Sequence, residues 1–139
     1  MTRLTEREIC QYVERLAERD DLSFPHALSK YVAYGTLTTI HLLPRPFSDY
    51  ALMAGQHWLV EPVDRQRLHD AQMHCRRYLK DEPAVSMSGQ DDVSHALRIL
   101  NYALSPDPQD VDTDMVIVGY AADAGELSGA IRFFGTAEA

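Results

Sequence analysis

Residues 31–43 form an uncharged stretch in a chain in which 24% of the residues are charged. A run of this length without a charge belongs in the interior of a folded protein. With three threonines and one histidine it is too short and too polar to span a membrane, which takes about 20 apolar residues. We therefore expect this stretch to be the buried centre of a globular core, with Ile40 enclosed whether the segment is helix or strand.

The length of 139 residues predicts a single globular domain over residues 1–139, with 45% apolar residues to fill its core. The N-terminus is charged from Arg3 onward and has no apolar segment typical of a signal peptide. We therefore expect a cytoplasmic protein that does not contact membranes. In a reducing compartment the two cysteines are expected to be free thiols.

The net charge of −8 is unevenly distributed. Residues 1–80 are nearly balanced, whereas residues 81–139 hold only Arg98 and Arg132 against 11 acidic residues. An acidic surface repels nucleic acid and membrane phosphates and attracts basic protein surfaces. The charge predicts a protein partner with a basic surface and no direct contact with nucleic acid, unless the acidity serves only solubility.

Helical periodicity and capping signals predict an all-α fold, a single compact bundle of about five or six helices. The first helix opens with the capping box Thr5 to Glu8, the second with Ser23, the third with Ser48 and the fifth with Asp91 or Asp92. The predicted helical ranges are 5–19, 23–43, 47–59, 64–80, 92–104 and 115–135. In the last of these, an apolar face is predicted from the helical spacing of Val118, Ala121, Ala122, Leu127, Ile131 and Phe134.

An alternative fold is α+β. Residues 36–43 are rich in β-branched side chains, and residues 84–87 and 115–120 also have strand-like composition. These three segments form a small sheet in the alternative prediction.

No stretch of the sequence carries a recognised chemical motif. His69, His74 and Cys75 are the only clustered metal-capable side chains, and a spacing of five separates the two histidines on a helix. Glycine-rich phosphate loops are absent. We therefore assign no metal, no cofactor and no catalytic residue. A helical enzyme or ligand-binding domain remains an alternative, with a pocket near His41, His57 and Trp58.

Binding to a protein is the function that remains. The predicted binding residues are acidic side chains of the last third and two arginines of the fourth helix: Asp91, Asp92, Asp107, Asp110, Asp112, Asp114, Arg76 and Arg77. The fourth helix holds five basic residues, which are expected to pair with the acidic third or with an acidic partner. Helix 47–59 has a second apolar face, which predicts a homodimer or partner contact through residues 47–60.

In size, acidity and lack of motifs the chain resembles small inhibitor proteins of bacterial and phage conflict systems, namely anti-CRISPR proteins and toxin-neutralising immunity proteins. The resemblance lies in bulk properties and transfers no residue. It implies a small acidic non-enzymatic protein that inhibits a partner, in the first instance a nucleic-acid-processing enzyme, by covering its surface. An immunity protein that neutralises a bacterial toxin is the alternative.

Overall fold

The computed structural model describes residues 5–83, 85–86, 89–105 and 112–127. The predicted all-α bundle of five or six helices is confirmed. The elements of the described residues are α1 (Glu6–Asp20), α2 (Phe24–Thr38), a short 3-10 helix (Ile40–Leu42), α3 (Phe47–Leu59), α4 (Arg65–Asp81), α5 (Asp92–Ala103) and α6 (Thr113–Glu126).

The α+β alternative is wrong. Residues 36–38 end α2, residues 40–42 form the 3-10 helix, and residues 115–120 lie inside α6. Of the third proposed strand the structure describes residues 85 and 86, and no strand occurs among the described residues.

Threonine hydroxyls explain why α2 ends within the uncharged stretch. Thr36 Oγ1 donates to Val32 O at 2.9 Å, and Thr38 Oγ1 donates to Gly35 O at 2.8 Å. Thr39 Oγ1 lies 3.2 Å from both Gly35 O and Thr36 O. The bonds to Gly35 O and Thr36 O satisfy carbonyl groups that lose their helical partners at a C-terminus. The β-branched residues that suggested a strand therefore stabilise the end of a helix.

The predicted burial of residues 31–43 is correct for much of α2 but wrong for Ile40. Tyr31, Thr36 and Thr39 are buried, whereas Ile40 is only partly buried and packs against the edge of the core. The break at Thr39 is the cause, because it turns the chain into the 3-10 helix before Ile40 can continue the inward face of α2.

The helix starts confirm most of the predicted caps. Thr5, Ser23 and Asp91 accept a hydrogen bond from a backbone N–H three residues later, and Asp64 caps α4. The predicted cap at Ser48 is wrong, because Ser48 is already inside α3. The carbonyl of Pro44 accepts the N–H groups of the first residues of α3 instead, so the bend between the two prolines replaces a side-chain cap.

Helix α5 is the centre of the bundle. It packs against α2, α3, α4, α6 and the 3-10 helix, and α1 is the one helix that it does not contact. Every residue from Ser94 to Asn101 is buried. The buried aromatic rings of Tyr31 and Tyr120 meet edge to face, with ring centroids 5.6 Å apart, where α2 meets α6.

Helix α6 starts two residues earlier than predicted, because Asp112 Oδ1 accepts the N–H of Met115 and caps the helix. Its inward face also differs from the prediction. Ala121 and Leu127 are buried as expected, whereas Val118 and Ala122 are exposed. The predicted residues 128–135 lie outside the described residues. Within the described residues no helix has the length and apolar character needed to cross a bilayer.

Candidate functional site

Three ionisable side chains meet in the interior between α5 and α6. Asp123 Oδ1 accepts hydrogen bonds from Arg98 Nε at 2.9 Å and from Arg98 NH2 at 2.8 Å. The same oxygen lies 2.6 Å from His95 Nδ1. All three residues are buried. A buried charge is stable only when it is paired and hydrogen-bonded, and this cluster meets both conditions.

The remaining donors of Arg98 hold a loop in place. Arg98 NH1 donates to Ser86 O at 2.9 Å, and Arg98 NH2 donates to Gly89 O at 2.7 Å. Ser94 Oγ accepts the N–H of Ser86 at 3.2 Å. Ser86 and Gly89, which lie between α4 and α5, are therefore hydrogen-bonded to the first turns of α5. Arg98 NH2 also lies 2.8 Å from His95 Nδ1, so each of the three side chains lies within hydrogen-bond distance of the other two.

The pair His95 and Asp123 has the composition of a catalytic dyad, but both side chains are buried in the described structure. His95 Nε2 is buried and finds no hydrogen-bond partner among the described residues. Catalysis by a histidine needs that nitrogen within hydrogen-bond reach of a substrate. The described contacts of the cluster connect α5 with α6 and with Ser86 and Gly89, which precede α5.

The two histidines and the cysteine of α4 point to different sides of the helix. His69 is exposed, His74 Nδ1 lies 2.8 Å from Tyr50 Oη, and the buried Cys75 Sγ donates to Leu97 O at 3.4 Å. Among the described residues, no group of three or more His, Cys, Asp or Glu side chains is placed to hold a metal ion.

Burial predicts that Cys75 is chemically inert in the folded protein. Burial raises the pKa of the Cys75 thiol to about 12, so the thiolate that reacts with electrophiles is scarce at neutral pH. We expect iodoacetamide to modify the half-buried Cys10 in the native protein and to reach Cys75 only in denaturant, as measured by mass spectrometry of peptides. Equal labelling of both cysteines under native conditions would contradict this expectation.

In the region where the sequence predicts a pocket, near His41, His57 and Trp58, the side chains of His57 and Trp58 are packed against their neighbours. Trp58 Nε1 donates to Ala103 O at 2.8 Å, and the ring of His57 meets the Trp58 ring edge to face. His57 Nδ1 accepts the N–H of Val63, and burial lowers the pKa of His57. Trp58 is therefore a core residue that joins α3 to α5, and His57 supports the turn after α3.

The structure separates the predicted acidic residues into two groups. Helices α5 and α6 are antiparallel, since His95 meets Asp123 near one end and Tyr102 packs on Gly119 near the other. The starts of α5 and α6 therefore lie toward opposite ends of this helix pair. The acidic residues at the start of α5 are Asp91 and Asp92, and those at the start of α6 are Asp112 and Asp114.

Within each group one carboxylate is used internally. Asp91 accepts the hydroxyl of Ser94 at 2.6 Å and its N–H at 3.0 Å, and the bond from the hydroxyl is the main reason that the pKa of Asp91 is lowered. Asp112 caps α6. Asp92 and Asp114 are exposed and make no side-chain bond to the described residues. Asp107 and Asp110 lie outside the described residues.

An exposed apolar pair that sequence reasoning missed lies beside Asp114. Met115 is 68% exposed and Val118 is 52% exposed. They are one turn apart on α6, and Ala122 continues the same exposed stripe. Patches of this kind, an apolar centre with charged neighbours, are typical of protein interfaces. The helical period indicated an apolar face on α6, but the predicted face combined residues that are buried with residues that are exposed.

The cationic side of α4 is the second exposed surface. The residues of this α4 cationic face are Arg67, Arg76, Arg77 and Lys80. None of the four forms an ion pair with a described residue. Arg76 Nε donates to the neutral Asn101 Oδ1 at 3.2 Å. The expected pairing of these cations with the protein's own acidic third is therefore not seen in the described part of the chain.

A groove of about 480 Å³ opens between α3 and α4, beside the α4 cationic face. Its lining residues are Asp49, Tyr50, Met53, Arg67, Asp70, Ala71, His74 and Arg77. A second depression of about 520 Å³ continues along α4 and shares two of these residues with the first.

Sequence reasoning also missed the cluster of His95, Arg98 and Asp123. Arg98 gave a usable signal, because it is a single cation within an apolar helix of an acidic segment. Its partner Asp123 is 25 residues away, and no local pattern connects the two.

Comparisons with known proteins gave no match to a family model, to a curated protein or to a solved structure. The described residues form an all-helical bundle with a buried ionic cluster and with two exposed charged surfaces.

Proposed function

We propose that the protein is a non-enzymatic binding protein that inhibits a partner protein by covering part of its surface. The observation that carries the proposal is the exposed pair Met115 and Val118 beside the unpaired carboxylate of Asp114. An apolar centre with an acidic rim fits a partner surface with an apolar spot and basic surroundings. Asp114 also lies in the first turn of α6, where a carboxylate interacts favourably with the helix dipole, but the dipole does not explain the exposure of Met115 and Val118.

The partner that we propose is a nucleic-acid-processing enzyme, because such enzymes present basic surfaces to their substrates. The acidic residues Asp112 and Asp114 would then cover the nucleic-acid-binding surface of that enzyme, as the resemblance to anti-CRISPR proteins implies. Asp91 and Asp92 lie toward the other end of the helix pair and form a second contact only with a partner that reaches both ends of the pair. Neutralisation of a toxin by the same surface is the alternative.

We expect partner binding to depend on charge and on the apolar pair. Asp114→Asn and Val118→Ser should each weaken binding about tenfold, and binding by the wild type should fall between about 50 and 500 mM salt. Asp112 is left unchanged because its replacement removes the cap of α6. The measurement is retention of host proteins on the immobilised protein, with mass spectrometry and an activity assay of the retained enzyme.

Glu14→Gln and Glu18→Gln on α1 are the charge-matched controls, since both positions are exposed and lie outside the α6 surface and outside the groove between α3 and α4. They should leave retention unchanged. If every retained protein is held equally by the wild type and by both α6 variants, the α6 surface is not the binding site and the proposal fails.

Homodimerisation through residues 47–60 stays a prediction. Leu52 is 57% exposed and Val60 is 75% exposed, whereas Met53 and Leu59 are partly buried. The second apolar face of α3 is therefore narrower than the sequence indicated.

A further inference from the structure

We propose that the groove between α3 and α4 binds an acidic segment of a partner protein, separately from the surface of α6. Helix α6 packs on α1, α2 and α5 and contacts neither α3 nor α4 in the described structure. The two surfaces therefore belong to different sides of the bundle, and the inference does not depend on the proposed function.

The floor of the groove is rigid. Tyr50 Oη and His74 Nδ1 are hydrogen-bonded at 2.8 Å across α3 and α4. The buried ring of Phe47 packs against both of these rings and against Tyr78, with centroid distances of 5.7, 5.0 and 4.6 Å. A floor that is already ordered reduces the entropy cost of binding a ligand.

The cations beside the groove are available for a ligand. Arg67, Arg77 and Lys80 are exposed and form no ion pair with a described residue. Cations in the last turns of α4 interact favourably with the negative end of the helix dipole, which accounts for Lys80 without a ligand. Arg67 lies near the positive end of the same helix, where the dipole disfavours it. Helix stability therefore does not explain Arg67.

The spacing of the two arginines indicates an elongated ligand. Arg67 and Arg77 both line the groove and are ten residues apart on α4, which is about 15 Å along the helix axis. An extended peptide of about five residues covers the same distance. Several anionic groups along one chain match this arrangement better than a single small anion. The neighbouring Arg76 and Lys80 line the second depression together with Arg77 and enlarge the cationic surface.

The two acidic residues in the lining favour a peptide over nucleic acid. Asp49 and Asp70 lie in the same groove as the arginines. A nucleic acid strand has a phosphate at every nucleotide and would bring some of them near these carboxylates, in a chain whose net charge is −8. An acidic peptide can place its carboxylates at the arginines and its N–H donors at the aspartates. The half-buried Met53 also lines the groove and offers an apolar contact to the peptide.

The test uses a fluorescent peptide with two pairs of glutamates separated by a short apolar stretch that contains leucine. A control peptide has glutamine at the glutamate positions, and a short single-stranded DNA is the third probe. Fluorescence anisotropy at low salt should show saturable binding of the acidic peptide. Arg67→Gln with Arg77→Gln should weaken this binding about tenfold or more.

The matched control variant is Arg7→Gln with Arg15→Gln. It removes the same charge from exposed positions of α1, which contacts neither α3 nor α4, and it should retain wild-type affinity. Thermal unfolding of both double variants should match the wild type, so that a loss of binding is not a loss of folding. The inference is overturned if the acidic peptide does not bind, if the glutamine peptide binds as well, or if the DNA binds more tightly through the same arginines.

Discussion

Replacement of Arg98 by methionine should lower the free energy of unfolding by about 3–5 kcal/mol, as expected when one partner of a buried ion pair is removed. The variant leaves Asp123 without its cation and leaves Ser86 O and Gly89 O without donors. Methionine occupies much of the space of the arginine stem, so the loss comes from unpaired polar groups rather than from a large cavity. Urea titration gives the free energy.

Two comparisons make the test specific. Arg76→Met removes an exposed arginine with a single hydrogen bond to Asn101 and should cost about 1 kcal/mol or less. Arg98→Met combined with Asp123→Leu removes both charges and should be more stable than Arg98→Met, because no lone carboxylate is left buried. If Arg98→Met and Arg76→Met cost the same, the cluster is not what holds α5 and α6 together.

Truncation of Leu97 to alanine should cost about 2–5 kcal/mol, through lost burial and the cavity that remains. Leu97 is fully buried on α5, where this helix packs against α4, and its carbonyl accepts the hydrogen bond from Cys75. A cost of this size is a large part of a total stability of about 5–15 kcal/mol. We expect a lower urea midpoint and a lower yield of folded protein.

The matched control is Leu52→Ala, which removes the same atoms from a leucine that is 57% exposed on α3. Its cost should be about 0.5 kcal/mol or less. A similar loss for both variants would mean that α5 is not the centre of the core.

The two exposed surfaces have opposite charge preferences, which bears on function. The α6 surface, with Asp114, Met115 and Val118, fits a basic partner, and the groove between α3 and α4 fits an acidic segment. A single partner with both kinds of surface would contact two sides of the bundle. The variants proposed for each surface leave the other unchanged, so the two binding modes can be measured separately.

The sequence determined the helices because the signals for them are local. A capping side chain bonds to a backbone N–H a few residues away, as Thr5, Ser23, Asp64 and Asp91 do. The helical period is likewise a property of neighbouring residues. The order of six helices, their approximate bounds and the burial of α5 could therefore be predicted without knowledge of the tertiary structure. Two of the misplaced details, the cap of α3 and the end of α2, involve backbone bonds around Pro44 and Thr39.

The tertiary structure alone decided the surfaces and the ionic cluster. Arg98 and Asp123 meet across 25 residues because α5 and α6 are antiparallel in a particular register, and neither property is encoded in a local pattern. The same register places Asp91 and Asp112 at opposite ends, although the sequence groups them in one acidic third. The groove exists because α3 and α4 meet at Tyr50 and His74. A contact between distant segments depends on how whole helices pack, and that packing is set by the core as a unit rather than by the residues that later form the surface.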